Sequence, residues 1–343
     1  MLDIRTYEGL YELLDRGAPA PKLPPLEEFL DWSTPRRRAF DAERIEYING
    51  GIVVMTSQIH EVQMIVREVM LGNRGRTSGV QSIMLSGRSA SGKTTACKAV
   101  MRSVYRDRQI EAAPTVGGFY PIVYIEVPTE CTPKALCQQI GRFFGLEFAD
   151  RTTTQVMMRR VVNMLQRGGT ELLIIDELHN LNPRSAGRSD SVNTIKQLVN
   201  ETGVTLLMSG IDLHESPVMH GPAGDQFKAR STLLTLTSFA HSKNADKVRW
   251  GGLVGAFARQ LPLFCPESAI SVMKQASWLH KRSKGRIGTL QRIIGASALQ
   301  LIERGDPVGE LMTRELMESA RLDYRTVEEN TRKVRVLHPQ DGC

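Results

Sequence analysis

The sequence predicts an α/β fold with a parallel five-stranded sheet sandwiched by helices, followed by a small C-terminal helical subdomain. Five short apolar runs alternate with stretches of helical periodicity between about residues 80 and 240. The runs are continuously apolar, as in strands buried on both faces. After about residue 242 no strand-like run follows, and apolar residues recur at helical spacing. Strands that alternate with helices predict a parallel sheet.

The same pattern divides the chain. The predicted strands lie in VQSIMLSG, GFYPIVYIEVP, TELLIIDE, GVTLLMSG and STLLTLTSF. The predicted helices between them cover residues 93–107, 132–144, 153–167 and 189–202. The predicted domains are an extended, proline-rich N-terminal arm over residues 1–40, an α/β domain over 41–241, a helical lid over 242–328 and a flexible tail over 329–343.

Composition excludes some classes and suggests others. The 343 residues carry a net charge of +7, which fits a polyanionic partner and equally fits plain solubility. No run of about 18 apolar residues predicts a membrane span, and the acidic N-terminus does not resemble a secretory signal. The five cysteines form no CxxC pair, which argues against zinc and against a disulfide framework. We therefore expect a cytoplasmic protein with no membrane partner.

A phosphate-binding loop is predicted in SGRSASGKTTACKAV, residues 86–100. Residues 87–94 match G-x-x-x-x-G-K-[ST] in full, between an apolar strand and a helix. Glycines let backbone N–H groups face phosphate oxygens, the lysine would reach the β- and γ-phosphates, and the following hydroxyl would ligate Mg²⁺. The predicted ATP-binding residues here are Gly87, Ser89, Ala90, Ser91, Gly92, Lys93, Thr94 and Thr95.

An acidic pair completes this prediction. The apolar run LLIIDE ends in Asp176, which would hold Mg²⁺ through water, whereas Thr94 would ligate it directly. The adjacent Glu177 would polarise the attacking water as a general base. Two acids at a strand end are common alone, but together with the glycine loop they predict a Mg²⁺-dependent ATPase.

Polar residues near the fourth and fifth strands are weaker candidates. Ser209 or Asp212 could sense the γ-phosphate, and a strand-end residue without a role fits about as well. Lys228 and Arg230 precede the fifth strand, where ring-forming ATPases carry an arginine finger that reaches the neighbouring subunit. We assign the finger to Arg230, with a solvated basic turn as the alternative.

Two further candidates lie elsewhere. In SKGRIGTLQR, Arg286 could contact phosphate from the helical subdomain, although Lys284, Arg292 or no residue there could do so instead. His179 closely follows the acidic pair, and we interpret it as a supporting loop histidine because no second metal ligand lies at helical spacing.

Over roughly residues 40–325 the chain resembles the AAA+ ATPases that regulate transposition, the TniB/TnsC proteins. The resemblance rests on the order of five phrases: LSGRSASGKTTACKAV, YPIVYIEVPTECTPKALCQQIGRFFG, ELLIIDELHNL, GVTLLMSGIDL and GRIGTLQRIIGASALQLIERG. The first and third are shared by many ATPases, whereas the second is more particular. The resemblance implies a P-loop AAA+ core and a nucleotide at the interface between subunits.

The resemblance also implies partners. Such proteins bind ATP, assemble on double-stranded DNA as rings or helical filaments, and recruit a DDE transposase of the TniA/TnsB type, often with a TniQ-like target selector. The positions that match their DNA contacts are Lys134 and Thr153 or Thr154, with Arg151 and Arg142 nearby. Backbone contacts of this kind give weak sequence preference and marked salt dependence. Without the resemblance, Lys134 would be interpreted as a solvated lysine.

The chain departs from the family pattern at two positions. Ile211 stands where a polar residue usually follows the glycine of the fourth strand, and Thr289 stands at the position of the subdomain arginine. Two other functions use similar motifs. A replication initiator or helicase loader often adds a separate DNA-reading module, for which no signal stands out. A metabolic kinase is disfavoured by the adjacent Asp–Glu pair.

Overall fold

The computed structural model describes residues 3–16, 19–76, 78–111, 118–181, 190–216, 219, 222–322 and 326. The chain forms two compact units. Unit 1 comprises Met1–Arg16 and Met55–Leu236, and unit 2 comprises Gly17–Val54 and Thr237–Cys343. The boundaries therefore differ from the expected ones, because residues 17–54 belong with the C-terminal helices rather than with an arm or with the α/β domain.

Unit 1 is built on a five-stranded sheet in the order β2-β3-β4-β1-β5. Every adjacent pair of strands is parallel, which confirms the predicted fold class. The strands are β1 (Ser82–Gly87), β2 (Ile122–Glu126), β3 (Leu172–Asp176), β4 (Thr205–Gly210) and β5 (Ser231–Leu236). All five lie within the predicted apolar runs.

Helices cover this sheet. In unit 1 they are α1 (Tyr7–Arg16), α4 (Ser57–Asn73), α5 (Lys93–Glu111), α6 (Pro133–Phe143), α7 (Thr154–Arg167), α8 (Asp190–Thr202) and α9 (Pro222–Lys228). Threonine side chains cap three of them: Thr56 accepts from the Ile59 N–H, Thr132 from the Ala135 N–H, and Thr153 from the Val156 N–H. Such caps satisfy backbone N–H groups that the first helical turn leaves free.

The continuous apolar pattern of the inner strands has a direct structural cause. In β3, the four residues Leu172, Leu173, Ile174 and Ile175 are each 0% exposed. Strand β5 differs, since its Leu233 is 45% exposed at the edge of the sheet. Burial on both faces of the inner strands stabilises the sheet that positions the residues after each strand.

Residues 7–16, within the segment expected to be an extended arm, are helical. Helix α1 covers edge strand β2, where the Tyr11 hydroxyl donates to the Ile122 carbonyl and accepts from the Ile122 N–H, both at 3.0 Å. Burial raises the pKa of Tyr11, so this hydroxyl stays protonated. The ring of Tyr11 also packs edge-on against Tyr105 and Tyr120. An exposed strand edge is thereby closed by a side chain.

Unit 2 is helical. Its helices are α2 (Leu26–Asp31), α3 (Thr34–Glu46), α10 (Asn244–Arg259), α11 (Glu267–Lys274), α12 (Ala276–Ser283), α13 (Ile287–Glu303) and α14 (Arg314–Ser319). One π-helical turn, Tyr47–Gly51, follows α3. The expected flexible tail over 329–343 lies outside the described residues.

A buried ion pair joins α3 to the C-terminal helices. Arg44 and Glu310 are each 1% exposed, and the Arg44 Nη2 atom lies 2.6 Å from both Glu310 oxygens. Arg44 Nε also donates to the Pro262 carbonyl, and the Phe264 N–H donates to Glu310. Burial raises the pKa of Glu310, whereas Arg44 opposes that shift. The pair is fully hydrogen-bonded, the condition under which a buried ion pair is tolerated.

We predict that Arg44→Met destabilises unit 2 by about 3 kcal/mol or more, because it leaves the Glu310 carboxylate buried and unpaired. Thermal unfolding of the full chain measures this change. Arg38→Met, on the exposed side of the same helix, should cost less than about 0.5 kcal/mol. Equal effects of the two substitutions would contradict the prediction.

Candidate functional site

The loop between β1 and α5 has the backbone that the motif predicts. Gly92 has a φ of +96° and Ala90 a φ of +62°, and the Ser91 N–H donates to the Arg88 carbonyl at 3.2 Å. A non-glycine residue in the left-handed region is uncommon and occurs preferentially at functional loops. A Cβ at Gly87 would lie 2.6 Å from Ser91 Oγ and 3.0 Å from the Leu236 carbonyl oxygen. Only glycine fits there without a shift of the loop.

The interior of this loop is suited to a polyphosphate. Lys93 is 6% exposed, and its ammonium donates to the Gly87 carbonyl at 3.0 Å and to the Arg88 carbonyl at 3.2 Å. Burial lowers the pKa of Lys93, whereas Glu177 and other nearby carboxylates raise it. Ser91 Oγ is buried with no hydrogen-bond partner in the described structure. A buried ammonium and an unpaired hydroxyl are groups that phosphate oxygens satisfy.

The Asp176 carboxylate lies at the centre of the site. It is 1% exposed and accepts three hydrogen bonds. Oδ2 accepts from Thr94 Oγ1 at 3.0 Å and from the Tyr124 hydroxyl at 3.1 Å, while Oδ1 accepts from the Glu177 N–H at 2.9 Å. A carboxylate held beside a threonine hydroxyl is an oxygen donor set of the kind that Mg²⁺ prefers. The residues predicted to hold the metal ion are therefore brought together.

Sequence reasoning missed Tyr124. Its position on β2, next to β3 in the sheet, places its hydroxyl against Asp176. Burial and the Asp176 charge raise the pKa of Tyr124, so it remains a donor. An aromatic residue in a strand-like run is unremarkable in sequence. Only the knowledge that β2 and β3 are neighbours could have revealed it.

The two adjacent acids have different environments. The Glu177 side chain is 32% exposed, and its Oε2 lies 3.2 Å from Nε2 of His179. Glu177 also has a left-handed backbone, with a φ of +57°. Asp176 is thus fixed by three donors, whereas Glu177 has access to water. The assignment of Asp176 as metal ligand and of Glu177 as general base stays a prediction.

The two sensor alternatives also differ. Ser209 is 0% exposed on β4 and contacts the Cys97 thiol of α5, whose pKa is raised by burial. Asp212 is exposed, follows β4 in a left-handed conformation with a φ of +44°, and its carboxylate raises the pKa of Lys93. Of the two candidates, Asp212 is the charged one, and it acts on the pKa of Lys93 in the glycine loop.

Arg230 lies at the amino-terminal ends of the strands, whereas the glycine loop lies at their carboxyl-terminal ends. Its carbonyl accepts from the Ser82 N–H at the start of β1, whereas Gly87 is at the end of that strand. Strand β1 has six residues, which span roughly 17 Å. The exposed Arg230 side chain therefore cannot reach the loop of its own chain.

The predicted subdomain arginine is engaged within unit 2. Arg286 is 8% exposed, and its Nη1 donates to Thr326 Oγ1 at 3.0 Å. Lys284 ends helix α12 in a left-handed conformation, and Arg292 is exposed on α13. A contact of Arg286 with nucleotide stays a prediction.

Most of the expected DNA contacts cluster at the first turns of α6 and α7. Lys134 Nζ donates to the Asp150 carbonyl at 2.7 Å, which brings it beside Arg151. Thr153 is the N-cap of α7, and Thr154 is its first residue. Arg142 differs, because it lies in the last turn of α6 and lowers the pKa of Asp3. Arg142 is therefore at the other end of its helix.

Fold and site together define a P-loop nucleotide-binding protein of the AAA+ class. Three solved structures share the fold. The Aeropyrum pernix ORC1 protein, solved in complex with DNA, is 16% identical, with a TM-score of 0.57 over 84% of this chain and 70% of that one. Cdc6p from Pyrobaculum aerophilum is 15% identical, with a TM-score of 0.54 over 78% and 67%. The Aeropyrum pernix ORC2 protein in ADPNP-ADP complexes is 14% identical, with a TM-score of 0.58 over 83% and 71%.

The particular family follows from the sequence match. The family described as Bacterial TniB protein matches residues 44–240, more than half of the chain, and the chain belongs to this family. No curated protein matches the chain. Within the described residues, no helix is long and apolar enough to cross a membrane, and no three His, Cys, Asp or Glu residues form a metal-binding group.

We predict that Gly87→Ala weakens ATP binding by at least about tenfold, because the new Cβ displaces Ser91 and meets the Leu236 backbone. Titration with a fluorescent ATP analogue measures the affinity. Gly72→Ala, in α4, is the matched control, since its Cβ would meet only Gln81 Oε1 at 4.0 Å. Undiminished affinity in Gly87→Ala would show that the loop does not bind the nucleotide.

Proposed function

We propose that this chain is an ATP-dependent, DNA-binding regulator of transposition. It assembles as a ring or filament on target double-stranded DNA and recruits a transposase. Membership of the TniB family supports the transposition role. The observation that carries the enzymatic part is the Asp176 carboxylate, which bonds Thr94 of the glycine loop and the backbone of Glu177. This arrangement joins a phosphate site, a metal site and a base in one place.

In this proposal each residue of the site has its own role in binding or hydrolysis. The backbone N–H groups of the loop and the Lys93 ammonium bind the phosphates of ATP. Thr94 and Asp176 hold Mg²⁺, which when bound neutralises negative charge on the phosphates. Glu177 accepts the proton of the attacking water. Because Asp176 is buried and held by three donors, it keeps its orientation while Glu177 meets water.

The position of Arg230 supports action between subunits. It lies at the amino-terminal ends of the strands, away from its own loop, so its guanidinium is available to a neighbouring chain. A head-to-tail interface that supplies Arg230 in trans generates a ring or a helical filament. ATP bound at such an interface favours the assembled form, because it binds that form more tightly. Hydrolysis then releases the assembly.

The DNA surface proposed here is formed by Lys134, Arg151, Thr153 and Thr154. These residues adjoin the first turns of α6 and α7, where backbone N–H groups and helix dipoles favour phosphate. The net charge of +7 adds a general attraction to a polyanion. We expect binding to be salt-dependent and weakly sequence-specific.

The proposed partners follow from the family. They are a DDE transposase of the TniA/TnsB type and a TniQ-like target selector, in the cytoplasm. A replication-initiator or helicase-loader switch is the second candidate, because such proteins also use a P-loop, a strand-end acid pair and an arginine finger. The likeness to the Orc1 and Cdc6 proteins, at 15–16% identity, supports the fold alone.

We predict that Glu177→Gln binds ATP but hydrolyses it about 100-fold more slowly, because the general base is lost. Its DNA assemblies should therefore persist. Electron microscopy with double-stranded DNA, comparing ATP with ADP, and a phosphate-release assay test both points. The wild-type protein should form DNA-threaded rings or filaments with ATP alone. Monomers that ignore DNA in both nucleotides would contradict the proposed function.

We predict that Arg230→Ala lowers ATP turnover of the assembled protein, and that mixing it with Glu177→Gln restores part of the activity. Random mixing places an intact Glu177 opposite an intact Arg230 at about one interface in four. The control mixes Glu177→Gln with the double variant that carries both changes, which has no complete interface. Absence of recovery in the first mixture would refute an arginine finger in trans.

A further inference from the structure

The turn after β3 is tied to the strands on both of its sides. On one side, Asn180 Nδ2 donates to the Val127 carbonyl, just after β2, at 3.0 Å. On the other side, the Ile211 N–H, just after β4, donates to Nδ1 of His179 at 3.4 Å. A Cβ on Gly210 would lie 3.3 Å from the backbone nitrogen of His179, so the turn and the end of β4 approach closely. The turn is held between two strand ends.

These contacts define the tautomer of His179. A backbone N–H can only donate, so Nδ1 must offer a lone pair to Ile211. The proton of the neutral ring is then on Nε2, which lies 3.2 Å from Oε2 of Glu177. The ring nitrogen that faces the Glu177 carboxylate is therefore the protonated one.

We propose that His179 is a positioning residue for Glu177 in ATP hydrolysis, an inference that rests on the proposed role of Glu177 as the base. The Glu177 side chain is 32% exposed, and an exposed glutamate samples several rotamers. A general base must lie within hydrogen-bond reach of the water it activates. The 3.2 Å contact with the protonated Nε2 favours the orientation in which the carboxylate faces His179.

The second contact of His179 connects the base to β4. The carboxylate of Asp212, next to Ile211, raises the pKa of Lys93 in the glycine loop. In this proposal, a displacement at the end of β4 moves the His179 ring through its hydrogen bond with the Ile211 N–H, and this changes the contact of Nε2 with Glu177. The orientation of Glu177 thus depends on the conformation of the segment that follows β4.

A purely structural role for the ring predicts a different behaviour. The His179 side chain is 28% exposed, so its removal opens no core cavity. A positioning residue should change turnover and leave both nucleotide affinity and stability nearly constant. A structural residue should change all three together.

The first experiment compares three substitutions in the full chain, assayed with double-stranded DNA and ATP. His179→Ala should lower kcat about tenfold with KM changed less than about twofold. His179→Gln places an amide near the position of Nε2 and should recover most of the rate. His179→Asn places its amide near the position of Nδ1, away from Glu177, and should stay slow. Equal rates for the Gln and Asn variants would overturn the proposal.

The second experiment repeats His179→Ala in the Glu177→Gln background. A residue that acts through Glu177 should cause no further loss once the carboxylate is gone. An equal loss in both backgrounds, or a parallel loss of melting temperature and ATP affinity, would overturn the proposal. If Glu177→Gln is slow and His179→Ala is as fast as wild type, this inference alone fails. If Glu177→Gln hydrolyses ATP normally, the assignment of the base fails with it.

Discussion

The parallel register of the sheet is the constraint on which the site depends. The strands β1, β3 and β4 run in the same direction. The glycine loop, the acidic pair and Asp212 therefore all follow the carboxyl-terminal ends of the strands and lie on the same side of the sheet. The Asp176 carboxylate then ties that side together, since it accepts hydrogen bonds from α5, from β2 and from the turn after β3. Each donor offsets part of the cost of burying this charge. Asp176, the most buried charged group of the site, therefore accepts three hydrogen bonds.

The same parallel arrangement separates Arg230 from the glycine loop of its own chain. Arg230 begins β5 beside the start of β1, so its side chain lies a full strand length from the loop. Under the role proposed for Arg230, the site of one chain is completed by Arg230 of another copy. The proposal therefore links assembly to turnover.

Each of the two units has its own stabilising device beyond apolar burial. In unit 1, the Tyr11 hydroxyl closes the edge of β2 with two hydrogen bonds. In unit 2, the buried Arg44–Glu310 pair joins a helix from the first fifty residues to helices from the last hundred. Tyr11 lies in the segment that the sequence suggested was an extended arm, whereas Arg44 lies just after it, in the segment that was assigned to the α/β domain. Four prolines between residues 19 and 25 suggested an extended segment. Helix α1 ends before these prolines and helix α2 begins after them.

Local patterns were sufficient to predict the sheet, its parallel class, the glycine loop and the Asp176–Glu177 pair. Continuous apolar runs, a complete loop motif and a strand-end acid pair are each encoded by neighbouring residues, so distant contacts are not needed to recognise them. The strand order depends on pairing between distant segments. So do the Tyr124–Asp176 contact, the His179–Ile211 contact, the remote position of Arg230 and the Arg44–Glu310 pair. No local pattern encodes such pairings, because they arise when the strands and helices pack, and tertiary structure alone decides them.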